Sequence, residues 1–253
     1  MATESQGPIK DIRKEARRVV ATMDLVNVPV RLIGGVAIWL RCPSADHELL
    51  HREYVDLDLL GLSPSYSEIK KLLTGLGYQP DKFFNSLHGR TRMLFHDLEN
   101  NRQVDVLLDE MNMCHRLDFR SRISVDEHTL SIADLLLTKL QIVEANPKDI
   151  IDLYTLLCDH PIGDQDGEMI NGSYIARLTA SNWGLYRTIQ LNLDRVIEQA
   201  KVIPQIGSYA IEQQIRELRD KIDSEPKSIK WKMRDRVGDR VKWYELPEEV
   251  RRS

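Results

Sequence analysis

The sequence predicts an α+β fold: a mixed sheet with flanking helices, followed by a mostly helical C-terminal half. Three observations carry this. Apolar and polar residues alternate in residues 52–60 and again in 103–108, the period of half-buried strands. A glycine pair, Gly34-Gly35, separates a strand-like stretch from a helix start. From residue 131 onward the apolar positions recur almost entirely at helical spacing.

Taken in order, Ile9, Ile12, Ala16, Val19, Val20 and Met23 predict an amphipathic helix over residues 9–25. A strand at 30–33, the glycine turn and a short helix follow. Residues 42–53 mix Pro, Asp and His and read as a loop with some helix. The acidic strand ends near Gly61, and 65–75 is helical, with Ile69, Leu72 and Leu73 inward. Strands are expected at Phe83-Phe84, at 91–96 and at 103–108, with Glu99-Asn100-Asn101 supplying the last turn. Ser131 and Asp134 suit a capping box for a helix to about residue 145. Asn146-Pro147 starts the next, and further helices are expected near 173–180, 184–202 and 208–223. The natural division is an α/β domain over 1–125 and a helical domain with a basic tail over 126–253.

With 253 residues the chain can bury one substantial core or a core and a smaller lobe. Its net charge of -4 provides no global field for nucleic acid. No apolar run approaches the roughly 20 residues needed to span a bilayer. Met1 to Pro8 lack the layout of a secretion signal, and the unpaired spacing of Cys42, Cys114 and Cys158 suits reduced thiols; both point to the cytoplasm.

The candidate chemistry lies in three carboxylates. On a strand, Val55, Leu57 and Leu59 would face the core while Asp56 and Asp58 share the opposite face. Asp105, between Val104 and Val106, repeats the pattern. Close carboxylates repel unless a cation sits between them, and Mg²⁺ or Mn²⁺ takes such oxygen ligands together with substrate phosphates. If the strands are neighbours, all three acids converge as metal ligands. The competing explanation is an ordinary solvated strand face. Gly34-Gly35 would let the backbone approach an anion at the helix start, or merely let helices pack.

Lys139 falls within the apolar stripe of its helix. It must snorkel outward, meet an acid on the next helix, or meet a triphosphate. Asp149 stands in the first turn of that next helix, where it favours the dipole, and Asp152 one turn on is either a salt-bridge partner for Lys139 or a substrate residue.

Together Gly34-Gly35, the Arg52-to-Asp58 segment, Asp105, Lys139 and the Lys148-to-Leu153 segment resemble nucleotidyltransferases of the DNA polymerase beta superfamily, nearest the abortive-infection, AbiEii-type branch. The likeness covers roughly residues 28–158 and rests on the ordered set of motifs. Tyr54 stands where that branch usually has a small hydroxyl residue, and Val36 where Ser or Thr commonly follows the glycines. The resemblance implies a nucleotidyltransferase-like sheet and transfer of a nucleoside monophosphate from an NTP to an acceptor hydroxyl. Asp56, Asp58 and Asp105 would be the catalytic metal ligands, and Gly34, Gly35, Arg52, Lys139, Asp149 and Asp152 would serve the nucleotide. It also admits a weak or inactive nucleotide- or protein-binding module, and the toxin half of a toxin–antitoxin pair.

Residues 226–243 carry seven cations, with Trp231 and Trp243 among them, against Asp235 and Asp239. Such a tail could bind tRNA or another RNA acceptor, or pack its tryptophans on the helical half.

Overall fold

The structure, a computed structural model, describes residues 7–203 and 207–246. It divides into two compact units. The first takes residues up to 41, 52–111 and 118–131; the second takes 42–51, 112–117 and the chain from 132. Residues 1–6, read above for a secretion signal, and the end of the basic tail from 247 lie outside the described residues.

In the first unit, helix α1 (Ile12–Asp24) starts where the Asp11 carboxylate accepts the Lys14 N–H at 3.0 Å. Strand β1 (Val30–Ile33) runs directly into α2 (Gly34–Arg41). Then come β2 (Leu57–Gly61), α3 (Tyr66–Gly75), β3 (Gln79–Pro80), α4 (Lys82–His88), β4 (Arg92–Asp97) and β5 (Arg102–Leu108). The strands form one sheet in the order β1-β2-β5-β4-β3. Only β2 and β5 pair in parallel, so the sheet is mixed, as expected. One face is apolar: Leu32, Leu59, Val106 and Met93 are in register across four strands and fully buried. Helices α1 and α2 pack on β1. The opposite face carries the row Ile33, Asp58, Asp105, Leu94, again in register.

Two expectations fail here. Phe83-Phe84 is not a strand but part of α4, because Asp81 caps that helix by accepting the Phe84 N–H at 2.9 Å, and Phe83 points to solvent. The acidic strand begins at Leu57 rather than 52; residues 51–56 have no regular structure, so Val55 misses the core and is 55% exposed. The turn after β4 forms as expected: Asp97 Oδ1 accepts the N–H groups of Glu99 and Asn100.

Two three-residue strands follow, β6 (Glu110–Asn112) and β7 (Arg116–Asp118). The second unit is helical: α5 (Ile132–Leu140), α6 (Pro147–Asp159), a short parallel pair β8 (Ile162–Gly163) and β9 (Ile170–Asn171), then α7 (Gly172–Ser181), α8 (Trp183–Val202), α9 (Ser208–Ser224) and α10 (Ile229–Val237). Helix α5 stops at Leu140, about a turn short of its expected end. Asn146 and Asp149 build the capping box of α6, each side chain accepting the other's backbone N–H, with Pro147 at the first position. Segment 42–51 belongs to this unit, where the Ser44 N–H donates to Asp159 Oδ2 at 2.9 Å.

Candidate active site

The site begins at the end of β1. Gly34 takes φ +67°, a left-handed conformation that L side chains rarely adopt. A Cβ there would collide with the Asp58 carboxylate, and one on Gly35 with the Arg52 guanidinium. Gly34 is therefore required by its backbone conformation, and a side chain on Gly35 would have to displace the end of Arg52. Val36 and Ala37, the next residues of α2, are buried.

Asp58 lies opposite Ile33 on one side and Asp105 on the other. The two acids thus share one sheet face on neighbouring parallel strands, as the alternation in both segments implied. Asp56 falls just before β2, and its Oδ1 accepts the Gln103 N–H at 3.4 Å. Among the described residues no three His, Cys, Asp or Glu side chains stand together closely enough to hold a metal ion. Asp58 and Asp105 supply two hard oxygen donors, which matches the one or two carboxylates that Mg²⁺ commonly takes beside substrate phosphates. The donor chemistry fits a divalent cation on that pair.

Sequence reasoning missed Arg92. Its Nε donates to both Asp105 oxygens, at 2.8 and 2.9 Å, and its Nη2 also bonds Oδ2, so the fork grips the carboxylate. The Asp105 hydrogen bond, together with the charges of Asp105 and Asp58, holds the guanidinium pKa above its usual value despite partial burial. A signal existed: Arg92 occupies a wet position of a strand antiparallel to the one that carries Asp105.

Arg52 sits in the irregular segment before β2. Its guanidinium carbon lies 4.3 Å over the Tyr54 ring, and Tyr54 stacks on Trp39 of α2 with centroids 4.6 Å apart and planes within 6°. Arg13 of α1 covers Trp39 at 3.5 Å. Neither Tyr54, Trp39 nor Arg13 was singled out for this contact by the sequence.

Lys139, Asp149 and Asp152 come together in the second unit. The Lys139 ammonium donates to Asp149 Oδ1 at 2.8 Å and pairs with Asp152 Oδ2 at 2.9 Å, all three being nearly buried. Burial works to lower the lysine pKa, but the charges of Asp152 and Asp149 outweigh it and hold the ammonium above its usual value. This is the acid-on-the-next-helix alternative, and Asp149 caps α6 as well.

In the basic tail, Trp231 is buried and its indole N–H donates to the Thr179 carbonyl at 2.9 Å. Trp243 meets Trp183 edge to face, and Trp183 donates to Asp235 at 2.6 Å. The tryptophans pack on the helical unit. Lys227 caps the end of α9 by donating to the Asp223 and Glu225 carbonyls, and Arg234 donates to those of Gly238 and Val241. Lys230, Lys232, Arg236, Arg240 and Lys242 stay exposed.

Among the described residues no helix is long and apolar enough to cross a membrane. No protein-family model and no curated protein matches the chain. Solved structures do resemble it. A lincomycin-bound lincosamide antibiotic adenylyltransferase, LnuA, is 13% identical with a TM-score of 0.39 over 60% of this chain and 98% of its own. The antibiotic-resistance factor ANT(2'')-Ia is 14% identical with a TM-score of 0.41 over 67% and 94%. An antigenic nucleotidyltransferase-like protein from Paracoccidioides brasiliensis is 14% identical with a TM-score of 0.46 over 81% and 94%. At these scores the likeness assigns neither family nor activity, and function has to be argued from the site.

Proposed function

We propose that this chain is a nucleotidyltransferase that moves a nucleoside monophosphate from an NTP to an acceptor hydroxyl. The observation that carries this is the Asp58 carboxylate packed on Gly34, with Asp105 in register beside it. Acids at the mouth of a side-chain-free turn suit a phosphate chain and its counter-cation.

In this reading phosphate oxygens would meet the first amides of α2, and Arg52, packed against Gly35, would add a planar donor. Asp58 and Asp105 would hold Mg²⁺ or Mn²⁺, with Asp56 the further candidate ligand two residues upstream. The cation, when bound, offsets the charge of the triphosphate. Asp105 would also take the proton of the attacking hydroxyl. The acceptor oxygen bonds to the α-phosphorus as the α–β bridging bond breaks, and pyrophosphate leaves. Lys139 has no step here, because Asp149 and Asp152 already share its charge. An RNA acceptor would meet Lys230, Lys232, Arg236 and Arg240 through its phosphates rather than by stacking, and would bind in a salt-dependent way.

One observation favours a second reading, a nucleotide-binding module without transfer: Arg92 already neutralises Asp105. Incubating the chain with labelled NTPs and a cell extract separates the two. Transfer of label to one class of molecule, lost in Asp58→Asn, is the expected result. NTP binding with no transfer supports the module. Turnover by Asp58→Asn at the parent rate overturns the carboxylate role.

A further inference from the structure

We propose that the outward face of α10 docks an acidic amphipathic helix of another protein, one whose apolar stripe is bordered by carboxylates. The proposal is independent of the nucleotide reading, because it concerns the helical unit and needs no nucleotide. Helix α10 turns its two faces to different surroundings. Trp231 anchors the inner face, buried and bonded to the Thr179 carbonyl. Ile229 and Met233 stand two residues before and after it, on the opposite side of the helix, and Val237 continues their line one turn on. These three are 79%, 55% and 39% exposed. Single exposed apolar residues are ordinary. Three in one line, at the four-residue spacing of a helix seam, form a surface that calls for a cover.

The borders of the stripe say what covers it. Lys232 and Arg236 run along one side and Lys230 along the other. All three are exposed and, among the described residues, form no ion pair. The two acids of the same segment are engaged by α8 instead: Asp235 accepts the Trp183 indole N–H, and Asp239 pairs with Arg187 at 2.7 Å. The outer face is thus apolar along its centre and cationic at its edges. A partner helix with acids beside its own apolar line satisfies both, as charges beside a helix–helix seam set partner choice. Other occupants fit less well. A second copy laid stripe to stripe would set Lys and Arg against Lys and Arg. An RNA would engage the cations but leave Ile229, Met233 and Val237 in water, while Trp231 is buried and Trp243 packs on Trp183 rather than offering a ring to the bases. A membrane surface is best entered by Trp, Phe or Leu, and the stripe has none.

The test places a photoreactive benzophenone amino acid at position 233 of the full chain in its own cells. Ultraviolet light then joins it to whatever covers the stripe, and peptide mass spectrometry locates the attachment. The expected product is attachment to one protein segment with apolar residues at three- and four-residue spacing and Asp or Glu beside them. A synthetic copy of that segment should bind the purified full chain, less tightly as salt rises. Met233→Glu should weaken that binding by about tenfold or more, and so should Lys232→Glu combined with Arg236→Glu. Replacing the segment's acids by lysine should recover binding to the charge-reversed variant and not to the parent. All three positions are exposed, so the variants should melt close to the parent. Attachment to RNA, to lipid, to a second copy of the chain or to nothing overturns the proposal. A segment whose binding ignores these substitutions overturns it as well.

Discussion

Arg92 holds Asp105 through both carboxylate oxygens, on the same sheet face where Asp58 stands in register. A divalent cation on the acid pair must therefore compete with a built-in one. Hydrogen bonds to charged groups contribute about 1.5–3 kcal/mol, so Arg92→Gln should raise affinity for Mn²⁺ by about tenfold or more. Calorimetric Mn²⁺ titration of the two proteins checks this. Unchanged affinity would mean that Asp105 is not a cation ligand.

The Lys139 triad yields the opposite kind of expectation. Removing the ammonium leaves Asp149 and Asp152 nearly buried without their shared partner. Lys139→Met should cost about 3–5 kcal/mol of stability, read from urea unfolding. A variant as stable as the parent but weaker in NTP binding would make Lys139 a phosphate ligand instead of a brace.

His115 gives the second unit a pH dependence. Burial pushes its imidazole down to about 4 from the usual 6.5. Its Nε2 lies 2.8 Å from Thr188 Oγ1, which accepts the Trp243 indole N–H at 3.1 Å. The folded protein thus holds His115 neutral, while the unfolded chain binds a proton below about pH 6.5. The contribution is complete above that pH and fades as pH falls towards 4, by about 3 kcal/mol across the window. Melting temperatures measured between pH 7 and pH 4 should fall less steeply for His115→Gln than for the parent. Equal slopes would show that the ring does not titrate in this way.

How much of this was legible in the sequence depended on the range of each contact. The glycine turn, the shared face of Asp58 and Asp105 and the helix start at Asn146-Pro147 are local patterns, written in spacing alone. So was the mixed sheet with a helical second half. The start of β2 was not, because alternation continued through Val55 while the backbone did not. Phe83-Phe84 read as a strand because two aromatics outweighed the cap supplied by Asp81. Arg92 and the aromatic stack were invisible for a different reason. Asp105 lies 13 residues from Arg92, and Trp39 further still from Tyr54; only the register of β4 on β5, or the approach of α2 to the segment before β2, brings them together.

The chain's path between its two units has a practical consequence. Residues 42–51 and 112–117 fold with the helical unit although the sequence on both sides belongs to the sheet. No single cut can release either half intact. A fragment ending at residue 131 would carry Ala45 and Leu50, fully or almost fully buried in the whole protein, with nothing to cover them. Dissecting this molecule by truncation would generate sticky, misfolding pieces, so its parts are better separated by point substitution than by scissors.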